Sequence, residues 1–138
     1  MDFKTPRQLI SEAGFGILAT EVAGQPRCRP MAFVVPCDRF VLWSSTWHCS
    51  GKVAEMKANP RVEVCFVGAG KVHLRVEGLA RLDGNREKKA RLLELNPRVR
   101  RHFFGPEDEN FVHIEIVPTR VRWMPPGFGE YTLEEVPD

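Results

Sequence analysis

No stretch of this chain reaches the ~18 consecutive apolar residues that a membrane-spanning helix needs, and the opening MDFKTPRQLI lacks the charged and apolar segments of an export signal. The expectation is a cytoplasmic protein without membrane contact. Cysteine is sparse and badly spaced for chemistry: Cys28, Cys37, Cys49 and Cys65 form no C-x-x-C pair and none of the His and Cys spacings of a zinc site, so they read as reduced thiols with no metal. His48 and Cys49 are sequence neighbours, which an extended segment points to opposite sides, and this excludes a base and nucleophile pair of the cysteine hydrolase kind. Net charge is also nearly absent. Twenty basic residues against 18 acidic leave +2, too little for a global field that would make nucleic acid the expected partner. Internal repeats, low-complexity segments and linkers are missing too, and 138 residues with 43% hydrophobic content suit one domain spanning residues 1–138.

What is present centres on residues 42–57, LWSSTWHCSGKVAEMK. Val41, Leu42 and Trp43 read as the end of an apolar strand, followed by the hydroxyls of Ser44, Ser45 and Thr46. Ser50 stands where a helix N-cap belongs, so amides near Gly51, Lys52 and Val53 would point out of the helix start, a geometry that attracts anions. Lys52 in the first turn opposes the helix dipole unless something negative lies between them. An ordinary capped helix with a solvated lysine reads equally from this segment, because the G-x-x-x-x-G-K-[ST] phosphate loop is not there.

The rest of the chain alternates short strands with helical connections. Thr5 caps a helix with Pro6 at its first position and Gly14 at its end, and Leu9, Ile10 and Ala13 form its apolar face. Residues 15–22 and 27–35 make a hairpin around Ala23-Gly24-Gln25, with Arg27, Arg29 and Met31 on one face if Pro30 introduces no bulge. Strands follow at 40–45, 61–67 and 71–82. In the last of these Val72, Leu74 and Val76 face the core while His73, Arg75, Glu77 and Leu79 share the other side, Glu77 pairing with an arginine. A charged helix over 86–95 and a helical piece over 98–104 precede two final strands, 111–117 and 119–124, separated at Pro118. Pro125-Pro126-Gly127 ends regular structure, leaving a tail with the single tyrosine, Tyr131. About seven strands with three short helices predict a mostly β, antiparallel domain, best accommodated by a small closed or split barrel that removes exposed edges.

With its elements in this order, the chain resembles the pyridoxamine 5'-phosphate oxidase-like proteins, the FMN-binding split-barrel family, over a core of about residues 5–124, with 125–138 as a C-terminal tail. The resemblance is carried by Gly24-Gln25-Pro26-Arg27-Cys28-Arg29-Pro30-Met31, by Ser44-Ser45-Thr46 with Ser50-Gly51-Lys52, by Asn59-Pro60-Arg61-Val62, by Arg75-Val76-Glu77-Gly78, and by Pro106-Glu107-Asp108 with Phe111-Val112 and Arg122-Trp123. Each motif is weak alone; five in order over a short domain are specific.

The resemblance implies an antiparallel, Greek-key-like split barrel that binds FMN between two subunits of a homodimer. Arg29 and Lys52 would supply charge to the flavin phosphate, Arg27 would lie nearby, and Ser44, Ser45, Thr46 and the helix start at Ser50 and Gly51 would supply donors. Backbone contacts to the ring would fall on the strand through Arg29, Pro30, Met31 and Ala32 to Phe33. His73 and Trp123 match positions beside the ring, and Trp47 and Trp123 would form apolar walls at the subunit interface. One departure stands out: the true oxidases end in an Arg-x-His type motif that grips the substrate, and no arginine or histidine follows Trp123 here.

The implied activity is therefore an FMN-dependent oxidoreductase other than pyridoxamine 5'-phosphate oxidase, passing electrons from a reduced nicotinamide to a small-molecule acceptor. Rival readings are a flavin-binding relay or sensing module without a substrate, and a relative that holds deazaflavin or haem, for which His48, His73 or His113 could ligate iron. The basic run Arg86, Lys88, Lys89, Arg91, Arg98, Arg100 and Arg101 could touch an acidic partner, but Glu87 and Glu94 interrupt it and a solvated helix face explains it.

Overall fold

Period-two alternation and well-placed caps account for most of the architecture. The computed structural model describes residues 5–125, 129–134 and 136. Helix α1, Pro6–Ala13, opens with the Thr5 hydroxyl accepting from the Gln8 amide at 3.2 Å and closes at Gly14, whose φ of 73° suits a residue without a Cβ. Strands β1, Phe15–Val22, and β2, Gln25–Ala32, form the expected hairpin. Their register runs unbroken through Ile17 opposite Pro30, so Pro30 introduces no bulge. β3, Leu42–Trp47, begins and ends two residues later than the sequence suggested. Helix α2, Gly51–Ala58, leads into β4, Arg61–Val67, then β5, His73–Asp83, and helix α3, Arg86–Leu95, which the Asn85 side chain caps by accepting from the Lys88 amide at 3.0 Å.

Two expectations near the end of the chain are corrected. Residues 111–124 form one continuous strand, β6, Phe111–Met124. Pro118 lies within it, opposite Gly78 at the point where the β5/β6 register shifts. Here β3, which pairs with residues 111–116, has already left, and β7 has not begun, so a residue without an amide hydrogen is tolerated on that open edge. A Cβ on Gly78 would come within 2.6 Å of the Val117 carbonyl oxygen, which explains the glycine at this close crossing. The second correction is that regular structure resumes after Pro125: β7, Thr132–Glu134, pairs with Val121, Arg122 and Trp123 of β6.

The strands form one antiparallel sheet in the order β2-β1-β4-β5-β6-β3, with β7 added to β6. The sheet curls until its two end strands meet. Just past β2, Val34 and Trp43 exchange backbone hydrogen bonds of 3.0 and 2.8 Å, and the Ser44 hydroxyl donates to the Ala32 carbonyl at 2.7 Å. Around that single seam the barrel remains split. Leu18, Phe33, Leu42, Val64, Phe66, Leu74, Val76, Ile114 and Ile116 fill the interior, with Leu9 and Ile10 of α1 packed against them. A second apolar layer joins Val41 and Trp43 to Leu92 and Leu93 of α3 and to Val99, Phe103 and Phe111. It fixes α3 and the following 3₁₀ turn, Pro97–Arg101, against the outside of the seam. Among the described residues no helix is long and apolar enough to cross a membrane.

Candidate functional site

A cavity of about 940 Å³ lies along the seam between the two end strands. Its floor is β2 and the segment beyond it, with Arg29, Pro30, Met31, Ala32 and Phe33; one wall is β3 with Ser44, Ser45, Thr46 and Trp47; the rest comes from α1, Lys52 and the 3₁₀ turn after α3. The position follows from topology. Among the described residues β2 pairs only with β1, so alternate amides and carbonyls on its outer edge are available to a ligand. Of the residues implicated by sequence, Arg29, Pro30, Met31, Ala32, Ser44, Ser45, Thr46 and Lys52 line this groove.

Inside the groove, strand alternation separates the hydroxyls. Ser44 and Thr46 are buried on the same side as the core residue Leu42, while Ser45 shares the opposite side with Trp43, which belongs to the outer layer. The start of α2 also differs from expectation. Ser50 occupies the N-cap position, but its hydroxyl caps nothing and instead accepts from Lys52 Nζ at 2.8 Å. A Cβ on Gly51 would meet nothing within 4 Å, so the chain itself does not crowd this helix start.

A carboxylate that the sequence reading missed organises the cationic end. Glu55, 9% exposed, accepts from Thr20 Oγ1 at 3.0 Å, from Arg27 at 3.2 Å and from Arg29 at 3.3 Å. Burial pushes its carboxyl up, but the Thr20 and Arg27 hydrogen bonds and the charges of Arg29 and Arg27 outweigh this and hold it below the usual range. Arg29 is further fixed by donating to Thr20 Oγ1 at 2.8 Å and to the Leu18 carbonyl at 3.4 Å. Lys52 has its pKa lowered, first by burial and then by the charge of Arg29, with Glu55 opposing. Two cations are thus held close at one end of the groove, an arrangement that an anion would relieve. Glu55 was hard to find because its neighbours Val53 and Met56 mark the buried stripe of α2, and nothing in the spacing shows a carboxylate among them.

Five of the implicated residues fall outside the groove. Arg27 shares a face with Arg29 as expected, but its guanidinium flanks Glu55; Ser50 and Gly51 precede Lys52 in the chain without lining the groove. His73, at the start of β5, places Nδ1 3.0 Å from the Lys71 carbonyl and Nε2 2.8 Å from the Tyr131 hydroxyl. Trp123 packs against the barrel core. Tyr131, unassigned from sequence, also lies under the Arg75 guanidinium, 5.1 Å from the ring centre. Arg75 is paired with Glu63 at 2.6 Å, and Glu77 is paired with Arg122 at 3.3 Å, as its face predicted.

The iron-ligand candidates are also dispersed. His113 is fully buried against Trp43, and burial pushes its pKa down to about 4; His48 is exposed. The four cysteines are free. Trp47 lines the groove and leans on Phe103, with ring centres 4.8 Å apart. Arg7, Arg98, Arg101 and His102 also line the groove and were not foreseen there.

Comparison with known proteins shows the family of this barrel. The family model described as pyridoxamine 5'-phosphate oxidase matches residues 4–124, and the chain belongs to this family. General stress protein 26 of Bacillus subtilis is 30% identical over 116 residues, covering 81% of this chain and 80% of that protein. Among solved structures, general stress protein 26 of Bacillus anthracis is 28% identical and superposes with a TM-score of 0.75 over 91% of this chain and 93% of the other. An F420 reductase is 25% identical, with a TM-score of 0.67 over 88% of this chain and 98% of that one. A pyridoxamine 5'-phosphate oxidase-related, FMN binding protein of Nostoc punctiforme shares the fold at 20% identity, with a TM-score of 0.68 over 81% and 74% of the two chains.

Proposed function

We propose that this protein binds FMN in the seam groove and works as an oxidoreductase, taking electrons from a reduced nicotinamide and passing them to a small acceptor. The observation that carries the reading is the closeness of Arg29 and Lys52 at one end of a groove lined by Ser44, Ser45 and Thr46 and floored by an open strand edge. Glu55 holds Arg29 in place, and Arg29 and Lys52 present the charge that a phosphate of about −2 requires. The chain from Arg29 on β2 to Phe33 just beyond it offers backbone groups to a planar ring, and Met31 and Phe33 exclude water beneath it. The flavin, when bound, supplies the redox chemistry. No side chain of the groove is required as an acid or base.

His73 and Trp123 do not line the groove of their own chain, so their part in this reading belongs to a second copy. A homodimer would bring that face across the flavin, with Trp47 and Trp123 as apolar walls. Linkage then makes cofactor and assembly reinforce each other. In sedimentation at falling protein concentration, apoprotein should dissociate before holoprotein; a holoprotein that stays monomeric with FMN fully bound contradicts the shared site. Fluorescence-quenching titration tests the cofactor itself. FMN should bind far more tightly than riboflavin, which lacks the phosphate, and equal affinities would remove the assignment of Arg29 and Lys52. The absorption spectrum of the purified protein distinguishes FMN from deazaflavin and haem, and oxidation of reduced nicotinamide with added acceptors separates an enzyme from a relay.

A further inference from the structure

His113 is a buried polar group that the proposed chemistry does not use. It lies on β6 opposite Ser45 of β3 and Asp83 of β5, fully buried, with its ring edge-on to Trp43 at 4.6 Å between centres. Neither ring nitrogen has a hydrogen-bond partner among the described residues, and neither has Trp43 Nε1. A neutral imidazole carries one donor and one acceptor, so this ring forgoes both bonds, which buried side chains rarely do. Among the described residues no group of three His, Cys, Asp or Glu side chains is placed to hold a metal. Helix α3 roofs the site. Its Lys88 reaches Asp83 at 3.3 Å and Glu115 at 3.0 Å, the carboxylates that flank His113 across the sheet and two residues along the strand. Lys89 of the same helix also opposes charge on the ring, and Arg39 holds the other oxygen of Glu115. From β3 come only the neutral Ser45 and Trp43, with Arg91 of α3 over the indole.

A proton on His113 changes what this site needs. The imidazolium has two N–H donors and no acceptor, and the acceptors on its face are the carboxylates of Asp83 and Glu115. Both are engaged by Lys88, and Lys88 and Lys89 repel a further cation beneath them. We infer that His113 is a proton-operated latch for α3: the charged ring takes over the carboxylates from Lys88, and α3 with the 3₁₀ turn leaves the outside of the seam. The released unit carries Leu92, Val99 and Phe103, which line the groove, so protonation opens one wall of it. Burial sets the direction, because it holds the pKa of the seated ring down at about 4 and the proton therefore enters with the release. The movement of α3 stands on this site alone, whereas its effect on cofactor binding rests on the flavin reading.

Hydrogen exchange followed by mass spectrometry tests the latch on the intact protein, with rates corrected for the intrinsic effect of pH. With 6.5 for the released ring and about 4 for the seated one, opening should rise about thirtyfold between about pH 7.5 and about pH 5. Amides of 86–101 should lose protection by that factor and stay less protected than those of 61–67, as an opening of their own. His113→Phe keeps a buried ring that binds no proton, and should hold α3 seated at both pH values. In Lys88→Met the charged ring can take the carboxylates without displacing α3, so acid should no longer loosen the helix; this variant carries the test where His113→Phe does not fold. Unchanged protection of 86–101 in the wild type at about pH 5, exchange of α3 only in step with 61–67, or an acid response that persists in either variant overturns the latch. With FMN loaded, acid should speed release of the flavin at least about threefold more in wild type than in His113→Phe, a comparison that cancels titration of the FMN phosphate. An equal rise in both overturns the opening of the groove. If the protein takes up no FMN the flavin reading falls by itself, and exchange still decides the latch.

Discussion

Two buried carboxylates, Glu55 and Glu115, each hold two cations, yet only one of them adjoins a groove. Glu115 on β6 is 1% exposed and accepts from Arg39 at 2.6 Å and from Lys88 at 3.0 Å. Burial pushes its carboxyl up, but Lys88 and Arg39 outweigh burial and lower its pKa. No other cation is left over beside it that faces the groove, and its neighbour His113 has both ring nitrogens without a hydrogen-bond partner among the described residues. Glu55 is satisfied in much the same way, by Arg27, Arg29 and Thr20. The difference is Lys52, which stands near Arg29 and, among the described residues, donates to a neutral hydroxyl alone. At Glu115, with Asp83 also on Lys88, the charges balance, whereas beside the groove Arg27, Arg29 and Lys52 outnumber Glu55 by two, an excess that favours an anion.

Removing Glu115 should produce the largest effect on the structural side. Glu115→Ala leaves Arg39 and Lys88 facing a buried gap, and urea unfolding should show a loss of about 3 to 4 kcal/mol with FMN affinity unchanged. If the FMN affinity falls in step with stability, the two carboxylates are not separable as proposed.

His113 sharpens the same side through pH. Its folded pKa of about 4 lies below the ordinary value of 6.5, so the unfolded chain takes up a proton that the folded chain refuses. Stability should therefore decline by up to about 3 kcal/mol as pH falls from 6.5 towards 4, and His113→Phe should flatten that limb. The lowered carboxylates act in a separate window: their contribution is complete above the unfolded value of 4.5 and is lost as pH falls through their folded values. A stability profile of His113→Phe that matches wild type between pH 6.5 and 4 would show that the buried imidazole is not the group responsible.

On the groove side the expected effect moves from stability to binding. Lys52→Ala and Arg29→Ala should each weaken FMN by about 1.5 to 3 kcal/mol, or ten- to a hundredfold, by fluorescence quenching. Lys52→Ala should leave the unfolding midpoint nearly unchanged, since among the described residues it bonds just the Ser50 hydroxyl. Unchanged dissociation constants in both variants would place the phosphate elsewhere. Glu55→Gln should have the smallest effect: Thr20 can still donate to the amide oxygen and Arg27 is largely exposed, so a stability loss of about 1 kcal/mol is expected. A loss as large as that of Glu115→Ala would make the two sites equivalent.

The sequence alone determined what depends on local rules. Thr5 before Pro6, Asn85 before Arg86, and the alternation of Val62, Val64 and Phe66 specify their elements because caps and period-two patterns act over a few residues. That Arg27 and Arg29 share one face was legible for the same reason, as was the closeness of Ser44, Thr46 and Lys52, which line one groove. Tertiary structure alone decided which charges are neutralised and which are left. Glu55 meets Thr20 and the two arginines from positions 26 to 35 residues away, and Arg98 and Arg101 reach the groove only because Val99 and Phe103 dock on the outside of the seam. Pro118 could lie inside a strand only where neither β3 nor β7 needed its edge, and β7 could form only against a strand already in place. Such pairings join residues far apart in the chain, so their energies depend on closure of the barrel, which no local spacing encodes.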